Sequence, residues 1–223
     1  MDFGSAFDQL VKVEPIDSNE VAGLMAKVMA SGERIQHTRA LLTKVTQGTS
    51  QITARSQLHA YCRALESLSS TGDCNAASLT EVCETTLEVL QPRSLSFEDA
   101  VTDVKKTLSS VYQEQERWRE AAQMLSSIQL ESGQRNHDDK FKLDIYLRIT
   151  QLQLEYDDSV AAEASLSRAA PLISALSEPG QKIIYKVFNL KNILINYNCK
   201  RLATREYSTV AAVTLTPRKS ITR

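Results

Sequence analysis

Phe97-Glu98-Asp99-Ala100-Val101-Thr102-Asp103-Val104-Lys105-Lys106-Thr107-Leu108-Ser109-Ser110-Val111 is the stretch whose pattern decides the fold. Phe97, Val101, Val104, Leu108 and Val111 recur every three or four residues, which places them on one stripe of an α-helix. Ser96 reads as its N-cap, and Glu98 and Asp99 put acid into a first turn whose exposed N–H groups favour negative charge. Pro92 ends whatever helix precedes it. Beyond a polar break at Gln115-Glu116-Arg117, a second stripe follows in Trp118, Ala121, Ala122, Leu125 and Ile128, and it stops near Gly133. Two amphipathic helices with so short a connection pack antiparallel, as a helical hairpin.

The hairpin recurs. Phe141, Ile145, Ile149 and Leu152 form a helix, Tyr156-Asp157-Asp158-Ser159 the break, and Val160, Ala162, Ala164, Leu166 and Ala169 the partner helix. Sliding the chain by 41 residues superposes Leu108 on Ile149, Val111 on Leu152, Ala121 on Ala162 and Leu125 on Leu166. That period belongs to helix-pair repeats. Upstream, Leu58, Cys62, Leu65 and Leu68 make one stripe and Leu79, Val82, Thr86 and Leu90 another. The second opens on Ser78-Leu79-Thr80-Glu81, which reads as a capping box. Ile35, Leu42 and Val45 suggest a further helix, with loops at 46–51 and 69–77. Gly 7 and Pro 5 together make up only about 5% of the 223 residues against the roughly 12% of average usage, which argues against a turn-rich β-sandwich or barrel.

The formal charge of −1 conceals two unlike pieces. Met1 to Gln181 carries 17 Lys and Arg against 26 Asp and Glu, whereas Lys182 to Arg223 carries nine against Glu206 alone. The basic end suits phosphate contacts, but it lacks any ordered nucleic-acid-binding pattern, so a divergent end is preferred to a nucleic-acid function. Within it, residues 183–197 can be helical despite Asn189, Asn192, Asn196 and Asn198, while Tyr207–Thr216 is β-branched and has no apolar partner. Fraying is expected from about residue 180.

Chemistry is sparse. Cys62, Cys74, Cys83 and Cys199 match neither a CxxC pair nor a disulfide framework, and Cys62 and Cys83 lie on apolar stripes as structural thiols. Trp118 reads as an inter-helix packing residue. Gly32, Gly48 and Gly72 are isolated and cradle no phosphate. His137-Asp138, with His37 or His59 and Asp144 or Asp157, formally mimics an HD phosphohydrolase metal set. Such ligands project from helix interiors, whereas His137-Asp138-Asp139 stands at a loop-to-helix junction where Asp caps. No catalytic, cofactor-binding or metal-binding residue is therefore assigned, and the partner-binding residues are left open. No signal peptide is readable at Met1-Asp2-Phe3-Gly4-Ser5, and no apolar run approaches the ~18 residues of a membrane span.

Several blocks resemble the COP9 signalosome subunit 4 family, of the PCI-domain class. They are residues 86–98 (Thr86 to Glu98), 118–125 (Trp118 to Leu125), 130–134 (Leu130 to Gln134), 142–149 (Lys142 to Ile149), 157–164 (Asp157 to Ala164) and 184–187 (Ile184 to Val187). The match runs collinearly from about Ile52 to Val187; the paralogous proteasome-lid subunit of the p55 type shares the architecture, and the Gln91–Glu98 and Leu130–Gln134 blocks favour the signalosome. The resemblance implies an all-α, right-handed solenoid of antiparallel helix pairs over 1–187, with a divergent basic tail at 188–223. The PCI winged-helix domain that normally follows is not recognisable, and the chain is roughly half the family's length. It also implies a non-catalytic scaffold, in cytoplasm and nucleus, whose partners are other signalosome subunits and cullin–RING ligases. The zinc isopeptidase of that complex needs a His-x-His carried by a different subunit. His37, His59 and His137 contain none, so no enzyme activity, small-molecule substrate or membrane contact is expected.

Overall fold

The computed structural model describes residues 18–48, 50–71, 75–130, 137–175, 180–193 and 195. All regular structure among them is helical, and the chain divides into two compact units, Met1–His137 and Asp138–Arg223.

The first unit contains α1 (Ser18–Ala30), α2 (Arg34–Gly48), α3 (Gln51–Thr71), α4 (Ala76–Leu90), a 3-10 turn at Gln91–Arg93, α5 (Glu98–Glu114) and α6 (Trp118–Ser126). Helices pack on the next but one: α1 on α3, α2 on α4, α3 on α5. Hairpin neighbours α4 with α5 and α5 with α6 close the layers. Each helix thus buries one stripe between two others, as stacked helix pairs do. Met25, Leu42, Leu58, Leu65, Leu90, Leu108 and Leu125 are fully enclosed, each worth roughly 1.5–3 kcal/mol relative to exposure. The core also holds polar groups with defined partners. Tyr61 Oη and Thr86 Oγ1 lie 2.8 Å apart, and the Thr86 hydroxyl also approaches the Val82 carbonyl at 2.7 Å. Burial raises the Tyr61 phenol above its ordinary pKa, so it stays neutral.

The second unit contains α7 (Asp139–Glu155), α8 (Ser159–Ala175) and a helical stretch at 180–193. Helices α7 and α8 form a hairpin across which the Ser165 hydroxyl donates to the Gln153 side-chain carbonyl at 2.8 Å, in a buried setting.

The 41-residue repeat holds to the residue. Moving α5 by 41 gives the limits of α7, and Trp118 moves onto Ser159, the first residue of α8. Leu108, Val111, Ala121 and Leu125 are buried, as are Ile149, Leu152, Ala162 and Leu166. Both connections end alike. Glu116 (φ 58°) and Asp157 (φ 60°) occupy the left-handed region. The next N–H in each turns back five residues, Arg117 to the Tyr112 carbonyl at 2.9 Å and Asp158 to the Gln153 carbonyl at 2.9 Å. This is the Schellman closure, which satisfies carbonyls that the helix end leaves open.

Several local expectations are corrected. Helix α4 starts two residues earlier than Ser78, because Asn75 Oδ1 accepts the Ala77 N–H at 3.1 Å and takes the cap; Glu81 instead pairs with Arg34 at 2.7 Å. Phe97, not Ser96, is the N-cap of α5 and makes no side-chain capping bond, its ring being buried. Among the described residues of the polar runs at 46–51 and 69–77, positions 46–48, 51, 69–71 and 76–77 are helical. Thr46, Ser69 and Ser70 return their hydroxyls to carbonyls three or four residues back, which suits a helix end as well as a loop. Helix α6 ends at Ser126, well before Gly133, which lies outside the described residues, although Ile128 beyond it is still buried. In α8 Val160 is 77% exposed and Ala164 is exposed, because helical spacing buries Ala162, Leu166 and Ala169 instead. Trp118 and Phe141 are half-buried. Residues 196–223, including the Tyr207–Thr216 strip, are outside the described residues.

Candidate functional site

The first unit carries a surface groove of about 390 Å³ between the end of α4, the start of α5 and the residues after α6. Leu87, Leu95, Val101 and Ile128 supply its apolar lining; Glu88, Glu98 and Lys105 supply charge. One wall is the connection 91–97 (Gln91 to Phe97), which three ties hold in place. The Arg93 guanidinium donates to the Thr46 carbonyl, Arg55 Nε donates to the Ser96 carbonyl at 3.1 Å, and the Phe97 ring is buried. Clamped at both ends, the connection presents Leu95 with 64% of its surface in water. An exposed leucine on a fixed backbone beside an apolar recess is a binding surface with little left to order.

The charges are also placed. Lys105 Nζ donates to the Ser127 carbonyl at 2.9 Å, tying α5 to the chain beyond α6, and burial lowers its pKa. Glu88 pairs with Arg39 at 2.8 Å in an exposed setting, an ion pair of small energetic weight. Glu98 sits in the first turn of α5, where the helix dipole favours it. Behind the clamped connection lies a cleft of about 60 Å³ lined by Arg55, His59, Phe97, Asp99 and Asp103 among others. Burial raises the Asp103 carboxyl above its usual range, opposed by Lys106.

The candidate metal set does not assemble from the described residues, since no group of three or more His, Cys, Asp and Glu is placed to hold an ion. His37 Nδ1 faces the Ser31 hydroxyl at 3.3 Å, His59 borders the 60 Å³ cleft, and His137 is half-buried before α7. Asp138 occupies the N-cap position of α7 but makes no side-chain capping bond. Asp144 is exposed, and Asp157 is the left-handed residue of the second turn. Cys62 and Cys83 are free and buried. Burial pushes the Cys62 thiol well up and the Cys83 thiol to about 12, so neither offers a thiolate near neutrality. Gly32 lies in the turn before α2 and Gly48 ends that helix, while Gly72, Cys74 and Cys199 are outside the described residues. No helix among the described residues is long and apolar enough to cross a membrane.

Sequence reasoning missed the groove. Leu95, alone among Pro92-Arg93-Ser94 and Ser96, was the available signal: an apolar residue in a polar connection with no helical stripe to join.

A family model described as PSMD12/CSN4, N-terminal, matches residues 16–210, beyond the Ile52–Val187 resemblance at both ends. The chain is 32% identical over 164 residues to COP9 signalosome complex subunit 4 of Arabidopsis thaliana, covering 74% of this chain and 40% of that protein. The protein of the same name from Drosophila melanogaster is 39% identical over 102 residues, 46% of this chain and 25% of its own. That of Emericella nidulans is 29% identical over 143 residues, 64% of this chain and 34% of its own. The matched parts span two fifths or less of each relative.

Proposed function

The chain belongs to the PSMD12/CSN4 N-terminal family, and from that premise we propose that it is a non-catalytic scaffold subunit of the COP9 signalosome. The observation that carries the reading is the match over residues 16–210, together with relatives named as subunit 4 of that complex. The architecture supports it, because helix pairs stacked within a unit present long faces and shallow grooves rather than an enclosed reaction pocket. In this role the chain works by position. A neighbouring subunit inserts an apolar side chain into the groove beside Leu95, and the clamped 91–97 connection keeps the ordering cost low. The complex so built holds cullin–RING ligases while another subunit removes their ubiquitin-like modifier, in cytoplasm and nucleus. In this reading the repeat region 1–187 carries the contact with the neighbouring subunit, and residues 196–223 are assigned none.

The family description also covers the proteasome-lid paralogue, which gives the one competing reading. Affinity purification of the tagged chain from cells separates them. Recovery of signalosome subunits is expected; recovery of proteasome-lid subunits would move the assignment to the paralogue. Leu95→Asp, at an exposed position, is expected to lower that recovery at least tenfold with an unchanged circular dichroism spectrum, and full recovery would remove the groove from the interface.

A further inference from the structure

The second unit turns an apolar stripe to solvent. Along the helical stretch 180–193, Ile183, Ile184, Val187, Leu190 and Ile193 are 45–63% exposed, while Asn192 on the opposite side is buried. Isolated exposed aliphatics are ordinary, but five within eleven residues of one helix form a contiguous patch. Lysines border it on both sides. At 100° per residue, Lys182 and Lys186 run along one edge and Lys191 lies on the other. Lys191 is fixed by Glu155 at 2.8 Å, whereas Lys182 and Lys186 form no ion pair among the described residues. The stretch 182–193 contains three lysines and no acid.

We propose that this lysine-edged stripe is a docking face for a partner's amphipathic helix whose own apolar stripe is edged by Glu or Asp. The charge pattern selects that occupant. Two copies meeting stripe to stripe would set lysines against lysines, and like charges at such a seam are unfavourable. The chain's own 196–223 has the wrong sign, with Lys200, Arg201, Arg205, Arg218, Lys219 and Arg223 against Glu206 alone. An anionic lipid surface matches the charge, but the stripe is mostly β-branched and holds no Trp, and the one Phe of the stretch, Phe188, is half-buried beside it. β-Branched aliphatics one and two turns apart suit ridge-into-groove packing against another helix. The inference goes beyond the scaffold reading and does not depend on it.

The test uses the full chain and a labelled 18-residue helical peptide with leucines at i, i+3, i+4 and i+7 flanked by glutamates, beside the same peptide flanked by lysines. Fluorescence anisotropy is expected to show binding of the glutamate-edged peptide at least tenfold tighter than its counterpart, weakening with salt. Val187→Glu should lower that affinity at least tenfold. Lys182→Glu with Lys186→Glu should reverse the preference; Lys186 is exposed and Lys182 half-buried, and circular dichroism should not change. Equal binding of the two peptides, or none, overturns the proposal. So does sedimentation with vesicles containing one-fifth phosphatidylserine, or concentration-dependent dimerisation, if Val187→Glu abolishes it while peptide binding is absent.

Discussion

Replacing Glu116 by glycine should stabilise the first unit, and the reason is local. Glu116 sits at φ 58° between α5 and α6, a conformation that crowds Cβ against the backbone of any L residue. The left-handed region costs a residue with a side chain roughly 1–2 kcal/mol. Glycine escapes that cost but loses about 0.5–1 kcal/mol more chain entropy on folding, so the net gain is about 0.5–1 kcal/mol. The Glu116 side chain is exposed, so little offsets the gain. Trp118, the single tryptophan, begins α6 two residues later and reports unfolding there by fluorescence. With a urea slope of about 2 kcal/mol per molar, Glu116→Gly should raise the midpoint by about 0.25–0.5 M. Glu116→Ala keeps Cβ and should leave it within 0.1 M or so of the parent by the same arithmetic. A midpoint that falls for glycine, or rises equally for alanine, would refute a strained left-handed turn.

The repeat register makes a paired forecast. Leu108→Ala and Ile149→Ala remove equivalent buried side chains and should each cost about 2–5 kcal/mol in denaturant unfolding, whereas Val160→Ala, at an exposed site, should cost little. Asp158 Oδ1 accepts the Ala161 N–H at 3.0 Å as the cap of α8, so Asp158→Ala should cost about 1 kcal/mol by circular dichroism melting. Tyr112 is held neutral by burial first and then by the 2.7 Å hydrogen bond its phenol donates to Glu84, its pKa pushed up to about 12. Because the unfolded phenol ionises near pH 10, the unfolded state sheds its proton first as pH rises. The stability linked to this group is present below pH 10 and is lost between 10 and about 12. Tyr112→Phe should make the alkaline loss of stability shallower, and an unchanged slope would contradict the assignment.

Much of this architecture was legible because helical periodicity is a backbone property that survives any packing. The stripes through Val104, Leu108 and Val111, and through Ile145, Ile149 and Leu152, lie where a 3.6-residue period puts them, all buried. Boundaries were harder, since they depend on competition among nearby hydrogen-bonding groups. Asn75 captured the cap that Ser78 was expected to make, and Ser69 and Ser70 bond back along a helix that continues past them. Val160 failed for a related reason: alternation along Val160, Ala162 and Ala164 has a strand's period, and in a helix it sends Val160 into water. The groove was invisible because its walls come from α4, α5 and the residues after α6, and only tertiary packing brings these together. What local sequence did hold was the odd leucine, Leu95, whose exposure depends on Arg55 and Arg93 gripping the chain around it. Those two arginines come from, or reach to, helices 40 or more residues away in sequence, which no local pattern encodes.

The scaffold assignment is tested most directly by reassembly. Signalosome subunits prepared without subunit 4 would be mixed with the purified chain, and the products weighed by native mass spectrometry. One copy of the chain is expected in the assembly, with incorporation reduced by Leu95→Asp. A chain that stays free while the other subunits assemble, or that enters only a proteasome-lid preparation, would contradict it.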